Sequence, residues 1–151
     1  MYWKIWKRNQ SLECFVTADV PPVQADKDGI ERVIINIISN SVKYTPNGGK
    51  INVYVGYVHN DAYVKIKDTG IGIPKDDLDK VFERFYRVDK ARSRETGGTG
   101  FGLAITRKLG GAGLGLSIAK EIIEQNNGNI NVSSKVGQGT EVVIRIPVKK
   151  S

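Results

Sequence analysis

Apolar positions recur at helical spacing in two stretches of the chain and alternate like strands in several others. The clearest stretch is Ile30, Val33, Ile34, Ile37, Ile38 and Val42, which follows i, i+3, i+4, i+7, i+8 and so lays one apolar stripe along a helix. Ala25-Asp26-Lys27-Asp28 supplies its N-cap, and Thr45-Pro46-Asn47-Gly48-Gly49 ends it, because proline and glycine do not continue a helix. A second stripe, Leu114, Leu116, Ile118, Ile122 and Ile123, runs on to Gly128. Strand-like alternation marks Cys14 to Thr17, then Ile51, Val53, Val55 and Tyr57, then Val64 and Ile66 against Lys65 and Lys67, with His59-Asn60-Asp61 as a hairpin turn. Ile130 to Ser133 and Glu141 to Ile146 read as a second hairpin around Gly137-Gln138-Gly139. A short helix is expected at Asp76 to Phe82, followed by a stretch to Gly113 rich in Gly, Arg and Ser, without periodicity and expected to be mobile. Together these predict an α+β domain in two layers, helices covering one face of a mixed, mostly antiparallel sheet.

A length of 151 residues with 40% apolar content suits one such domain. The division expected is residues 1–12 as a linker or cloning remnant and 13–151 as the domain. No apolar run approaches the ~20 residues of a membrane span, and Met1 to Arg8 is too short and mixed for a signal peptide. The lone Cys14 excludes an internal disulfide and fits a reducing compartment. The net charge of +7 raises nucleic acid as a partner, but Lys and Arg are dispersed. Their densest group, Arg84, Arg87, Lys90, Arg92 and Arg94, lies in the aperiodic stretch, where an anionic nucleotide accounts for it as well. No nucleic-acid partner is therefore expected.

Several residue groups carry chemistry. Asn36 and Asn40 stand one helical turn apart, with Lys43 and Tyr44 on the next turn. They form either a solvated face or oxygen donors for Mg²⁺, which takes few protein ligands besides phosphates. Two asparagines inside a strong helix carry a propensity cost that argues for the second. Asp68-Thr69-Gly70-Ile71-Gly72 after a strand is either an Asx turn or a purine site, in which glycines let backbone approach a flat ligand and a carboxylate accepts from its exocyclic amine. Gly97-Gly98-Thr99-Gly100-Phe101-Gly102 and Gly110-Gly111-Ala112-Gly113-Leu114-Gly115 both look like phosphate cradles at a helix start. Neither directly follows a strand, and no Gly-Lys-Ser or Gly-Lys-Thr is present, which argues against a dinucleotide fold and a Walker loop. The single His59 sits in a turn without a context for phosphorylation and reads as a solvent-exposed turn residue.

Taken in order, these motifs resemble the ATP-binding catalytic domain of sensor histidine kinases, in the group shared with gyrase-type and chaperone ATPases. Ile35 to Pro46 looks like the N box, Asp68 to Ile73 the G1 box, Phe82-Glu83-Arg84-Phe85-Tyr86-Arg87 the F box, the glycine segments the G2 box, and Gly137-Gln138-Gly139-Thr140 the last glycine turn. The resemblance covers about Cys14 to Val148 and implies a Bergerat-type sandwich with a flexible ATP lid. It also implies roles: Asp68 for the adenine amine, Asn40 and Asn36 for Mg²⁺, Lys43 and Arg87 for phosphates, Tyr44 for the base pocket and Thr140 for the adenine end. Gly70, Gly72, Ile73, Tyr86, Gly98, Gly100, Gly102, Gly111, Gly113, Gly115 and Leu116 complete the expected ATP contacts. Gyrase-type ATPases place a water-activating glutamate where this chain has Asn36, and an amide cannot act as that base. The implied chemistry is presentation of the γ-phosphate of Mg·ATP to a histidine, through positioning and charge neutralisation. The acceptor histidine of such kinases lies on a dimerising helical hairpin with no counterpart here, so no catalytic residue is assigned and the chain alone is not expected to autophosphorylate. The implied partners are that dimerisation domain and a response regulator, and the implied setting is the cytoplasmic portion of a membrane-bound bacterial sensor kinase. An anti-sigma-type serine kinase shares the site but not the Phe-Glu-Arg-Phe-Tyr-Arg context.

One departure from the family stands out. Gly97 to Leu109 and Gly110 to Ile122 are aligned copies, identical at Gly97/Gly110, Gly98/Gly111, Gly100/Gly113, Gly102/Gly115, Leu103/Leu116 and Ile105/Ile118, where the family has one G2 box. The second copy runs on into the complete amphipathic helix and is expected to start it, leaving the first to lengthen the lid; in the alternative, Gly98 to Gly102 cradle the phosphates, Leu103 to Leu109 form a short helix and the second copy starts another. A lid so altered opens a different functional class, a nucleotide-binding or docking module without kinase activity.

Overall fold

The structure, a computed structural model, describes residues 9–17, 19–78, 80–82 and 116–148, and residues 2–5 by their backbone. In chain order the elements are β1 (Tyr2–Ile5), β2 (Gln10–Val16), α1 (Lys27–Tyr44), β3 (Lys50–Val58), β4 (Asp61–Asp68), α2 (Lys75–Leu78), α3 (residues 116–125), β5 (Asn129–Lys135) and β6 (Gly139–Pro147). The strands form one six-stranded sheet in the order β1-β2-β3-β4-β6-β5. All neighbours are antiparallel except β2 and β3, which run parallel with Leu12 opposite Ile51 and Cys14 opposite Val53. A parallel pair needs a crossover, and α1 provides it.

The core is built on one face of the sheet. Leu12, Ile51, Val53, Ile66, Ile130, Val142, Ile144 and Ile146 point inward and pack with Val33 and Ile37 of α1 and Leu116, Ala119 and Ile123 of α3. The stripe read along α1 is therefore the stripe that is buried, and Cys14 packs against this cluster as a strand residue. On the opposite face Phe15 stacks on Tyr54 with centroids 5.2 Å apart, and Lys65 lies over the Tyr54 ring and pairs with Glu141 at 3.5 Å. This is the expected two-layer α+β arrangement.

Several boundaries differ from the sequence reading. The strand expected from Cys14 starts at Gln10, and β1 adds an edge strand at residues 2–5, so the boundary at residue 13 falls inside the sheet. The cause is that Leu12 shares the inward phase of Cys14 and is core, 8% exposed, while Gln10 is wholly buried. The helix expected to reach Phe82 is a single turn, Lys75–Leu78, with residues 80–82 in a turn. The last helix ends at residue 125, and the residue that turns left-handed is Asn127 (φ 64), ahead of Gly128, whose N–H then donates to Ile123 O at 3.0 Å. His59 and Asn60 both take positive φ (51 and 68), the two-residue turn that suits the sheet twist, and His59 is exposed as read.

Ile123 is 0% exposed at the centre of the core. Ile123→Val is expected to cost about 1 kcal/mol, lowering the thermal midpoint by about 3 °C in a circular-dichroism melt.

Candidate functional site

β4 ends at Asp68, and the chain then crosses the end of α1. Ile71 N–H donates to Tyr44 O at 3.1 Å, Gly137 N–H donates to Ile71 O at 2.9 Å, and Ile73 N–H donates to Ser134 Oγ at 2.7 Å. The loop is thus pinned between α1 and the β5–β6 hairpin. Glycine is required where these backbones meet: a Cβ on Gly72 (φ 78) would stand 2.3 Å from Lys135 O, and one on Gly139 (φ 118) would stand 1.9 Å from Asp68 O.

At the centre of this crossing the Asp68 carboxylate is 6% exposed. Its Oδ1 accepts the Gly70 N–H at 2.9 Å and the Thr140 N–H at 3.1 Å, and the Ser41 hydroxyl donates to the same carboxyl group. Burial lifts the carboxyl above its ordinary value of 3.8, against the lowering effect of these three hydrogen bonds. A buried carboxylate held this way is an acceptor fixed in place, with no cation among its partners in the described residues.

Asp68 lies in the wall of a cleft with Ile37, Asn40, Ser41 and Tyr44 of α1, Ile71, Gly72 and Ile73 of the loop, Leu116 of α3, and Val132, Thr140 and Val142 of the hairpin. The walls are apolar except at the Asp68 end and at Asn40, which suits a flat, largely apolar ring carrying a polar edge. The cleft encloses about 40 Å³, room for a few waters.

Of the residues singled out from sequence, Asn40, Tyr44, Asp68, Gly72, Ile73, Leu116 and Thr140 meet in this cleft. Gly70 lies beneath it, its N–H on Asp68. Lys43 is exposed and outside the lining. Asn36 lines a different hollow, of about 180 Å³, between α1 and α3 with Arg32, Val33, Ile118, Ala119 and Ile122. Tyr86, Arg87, Gly98, Gly100, Gly102, Gly111, Gly113 and Gly115 lie outside the described residues, as does most of the basic group. For the metal, no cluster of three His, Cys, Asp or Glu occurs among the described residues, so a cage built from protein side chains is not available there. One amide oxygen, Asn40, at the cleft fits an ion whose remaining ligands are phosphates and water.

Ser41 was missed, although the sequence carries a signal for it. It stands four residues after Ile37 on the core stripe of α1, where a polar side chain is buried only with a partner, and that partner is Asp68. Ser134 was also missed; its hydroxyl accepts from Ile73 N–H, donates to Gly139 O at 2.8 Å and lies 2.8 Å from Thr140 Oγ1.

Comparison with known proteins gives a consistent picture. The family described as "Histidine kinase-, DNA gyrase B-, and HSP90-like ATPase" matches residues 25–110 and 106–150. The two stretches meet at the junction of the glycine-rich copies, one copy in each. The sensor histidine kinase WalK of Bacillus subtilis (strain 168) is 45% identical over 130 residues, 85% of this chain and 19% of that protein. The sensor protein kinase WalK of Staphylococcus aureus is 44% identical over 124 residues, 81% of this chain and 27% of that one. The chain thus spans roughly a fifth to a quarter of these relatives. Among solved structures, the nucleotide-free catalytic domain of histidine kinase ThkA superposes with a TM-score of 0.70 at 27% identity, over 93% of this chain and 80% of that one. The mycobacterial sensor histidine kinase MprB gives 0.66 at 28% identity, over 93% and 84%.

Proposed function

The chain belongs to the histidine kinase-, DNA gyrase B- and HSP90-like ATPase family, and from that premise we propose that it binds Mg·ATP and presents the γ-phosphate to a histidine on a separate dimerisation domain of a sensor kinase. The observation that carries this reading is the Asp68 carboxylate, buried at the end of an otherwise apolar cleft and held by Gly70, Ser41 and Thr140. Such an acceptor suits the exocyclic amine of adenine, whose flat faces the walls around Ile37, Ile71 and Val142 would sandwich.

In this reading Tyr44, Gly72, Ile73 and Leu116 line the base pocket and Thr140 supports the adenine end. From the cleft, Asn40 would hold Mg²⁺, whose chemistry when bound is to neutralise charge on the phosphates, while Asn36, one turn away, faces the separate hollow between α1 and α3. Lys43 and Arg87 would meet the phosphates, with the glycine-rich copies supplying backbone N–H groups. No carboxylate stands where a water-activating base is needed, since Asn36 occupies that position, and an amide takes no proton. The domain therefore favours transfer to a protein nucleophile over hydrolysis, by positioning and charge neutralisation. A response regulator is the onward acceptor in this scheme, and the setting is the cytoplasmic side of a membrane-bound sensor. No helix among the described residues is long and apolar enough to cross a membrane.

Incubation with γ-labelled ATP, Mg²⁺ and a separately supplied histidine-bearing dimerisation domain tests this. Label is expected on the supplied domain only when this chain is present, and none on this chain by itself. Nucleotide binding without any transfer would instead favour a module that binds and docks.

A further inference from the structure

We propose that Gln10, outside every residue expected to touch a ligand, is a positioning residue for the base end of the cleft. It rests on the nucleotide reading above. Gln10 opens β2 and is 0% exposed. Its Nε2 donates to Val42 O at 3.0 Å and to Thr45 O, two carbonyls at the C-terminal end of α1, where a helix runs out of its own donors. Between them sits Tyr44. Its side chain lines the cleft and its carbonyl accepts Ile71 N–H, while a Cβ on Gly70 would stand 2.7 Å from that same carbonyl. One side chain on β2 therefore sets where the end of α1 lies, and the end of α1 sets where the Asp68–Ile73 loop lies.

The pairing of Gln10 is lopsided for a residue that serves stability alone. Its Oε1 is buried without a hydrogen-bond partner among the described residues, and so is the neighbouring Thr45 Oγ1. An apolar chain of similar length removes that unpaired acceptor but leaves the Val42 and Thr45 carbonyls without Nε2, so it should still fold, less stably than the parent. What such a chain loses is the fork that holds two carbonyls at once.

The test uses the 151-residue chain, with ADP and Mg²⁺ titrated calorimetrically into the parent, Gln10→Met and Ile123→Val. Gln10→Met is expected to melt a few degrees below the parent, as Ile123→Val does, yet bind ADP about fivefold more weakly, with ATP weakened by the same factor because the defect lies at the base end. Ile123→Val, less stable but outside the cleft lining, is expected to bind as the parent does. Parent-like binding by Gln10→Met overturns the inference and leaves the nucleotide reading intact. So does equal weakening in Ile123→Val, which would tie affinity to stability alone. Failure of Gln10→Met to fold overturns it too, by making Gln10 a residue the sheet itself depends on. No heat from the parent with ADP would remove the nucleotide reading and the inference together.

Discussion

Replacing Asp68 by asparagine is expected to weaken ADP and Mg·ATP binding about 100-fold or more, to the edge of calorimetric detection, while leaving the domain folded. The two side chains have nearly the same shape, so the loss comes from hydrogen-bond direction. Gly70 N–H and Thr140 N–H both donate to Oδ1. An asparagine must keep its oxygen there, which leaves its NH₂ at the other position, a donor facing the donor of an adenine amine. Turning the amide over would set NH₂ against two backbone N–H groups instead. The stability of the empty domain should move differently. Burial raises the Asp68 pKa in the folded state above 3.8, so the folded form binds more protons than the unfolded form in the range just above that value. The contribution of Asp68 to stability is then fully present below 3.8 and is lost as pH rises through the folded value. Urea melts at a series of pH values should show the parent losing stability relative to Asp68→Asn as pH rises through that window. A parent that gains on the variant instead would mean that hydrogen bonding outweighs burial.

Deleting Gly97 to Leu109 is expected to raise Mg·ATP affinity at least tenfold without altering the melting temperature. α3 takes its sequence from the second copy and the residues after it, with Leu116, Ala119 and Ile123 at 5%, 1% and 0% exposed. The deletion leaves all of these in place. Were the first copy to stand there, Leu103 and Thr106 would take the places of Leu116 and Ala119, but Gly110 would fall where Ile123 is, emptying the centre of the core. That comparison is why the second copy forms the helix. The affinity argument turns on size. The extra residues lengthen the connection between Phe82 and Leu116 by about two-thirds, which by loop-closure entropy alone costs only about 0.4 kcal/mol, roughly twofold in binding. A tenfold recovery would therefore mean that the first glycine run competes with the second for the phosphates. Recovery of twofold or less would mean the duplication is a spacer and nothing more.

Much of this was legible in the sequence where periodicity is strong. The α1 stripe, the two hairpins and the Asp68 turn each follow from local spacing, and they appear in the structure close to where spacing puts them. Gln10 and Ser11 look like linker because a buried glutamine does not register as apolar; only the carbonyls at the end of α1 explain it. Asn36 and Asn40 share a helical face, yet α3 packs over the first and Asp68 lies beside the second, so one face serves two hollows. Spacing shows which residues point the same way, and tertiary contacts decide what they meet. The parallel register of β2 and β3 was likewise invisible, since it depends on the crossover closing over a distance of many residues.

That crossover bears on how the domain comes apart. α1 is tied at one end to β2 and at the other to β3, which are themselves paired over Ser11 to Val16 and Lys50 to Val55. The helix that supplies Asn40, Ser41 and Tyr44 cannot peel away while the sheet stays intact without stripping Val33 and Ile37 from the core. One wall of the cleft thus belongs to the same cooperative unfolding unit as the central strands. Local opening of the empty domain should begin elsewhere, and a bound ligand would raise the free energy of global unfolding directly, by mass action on the folded state.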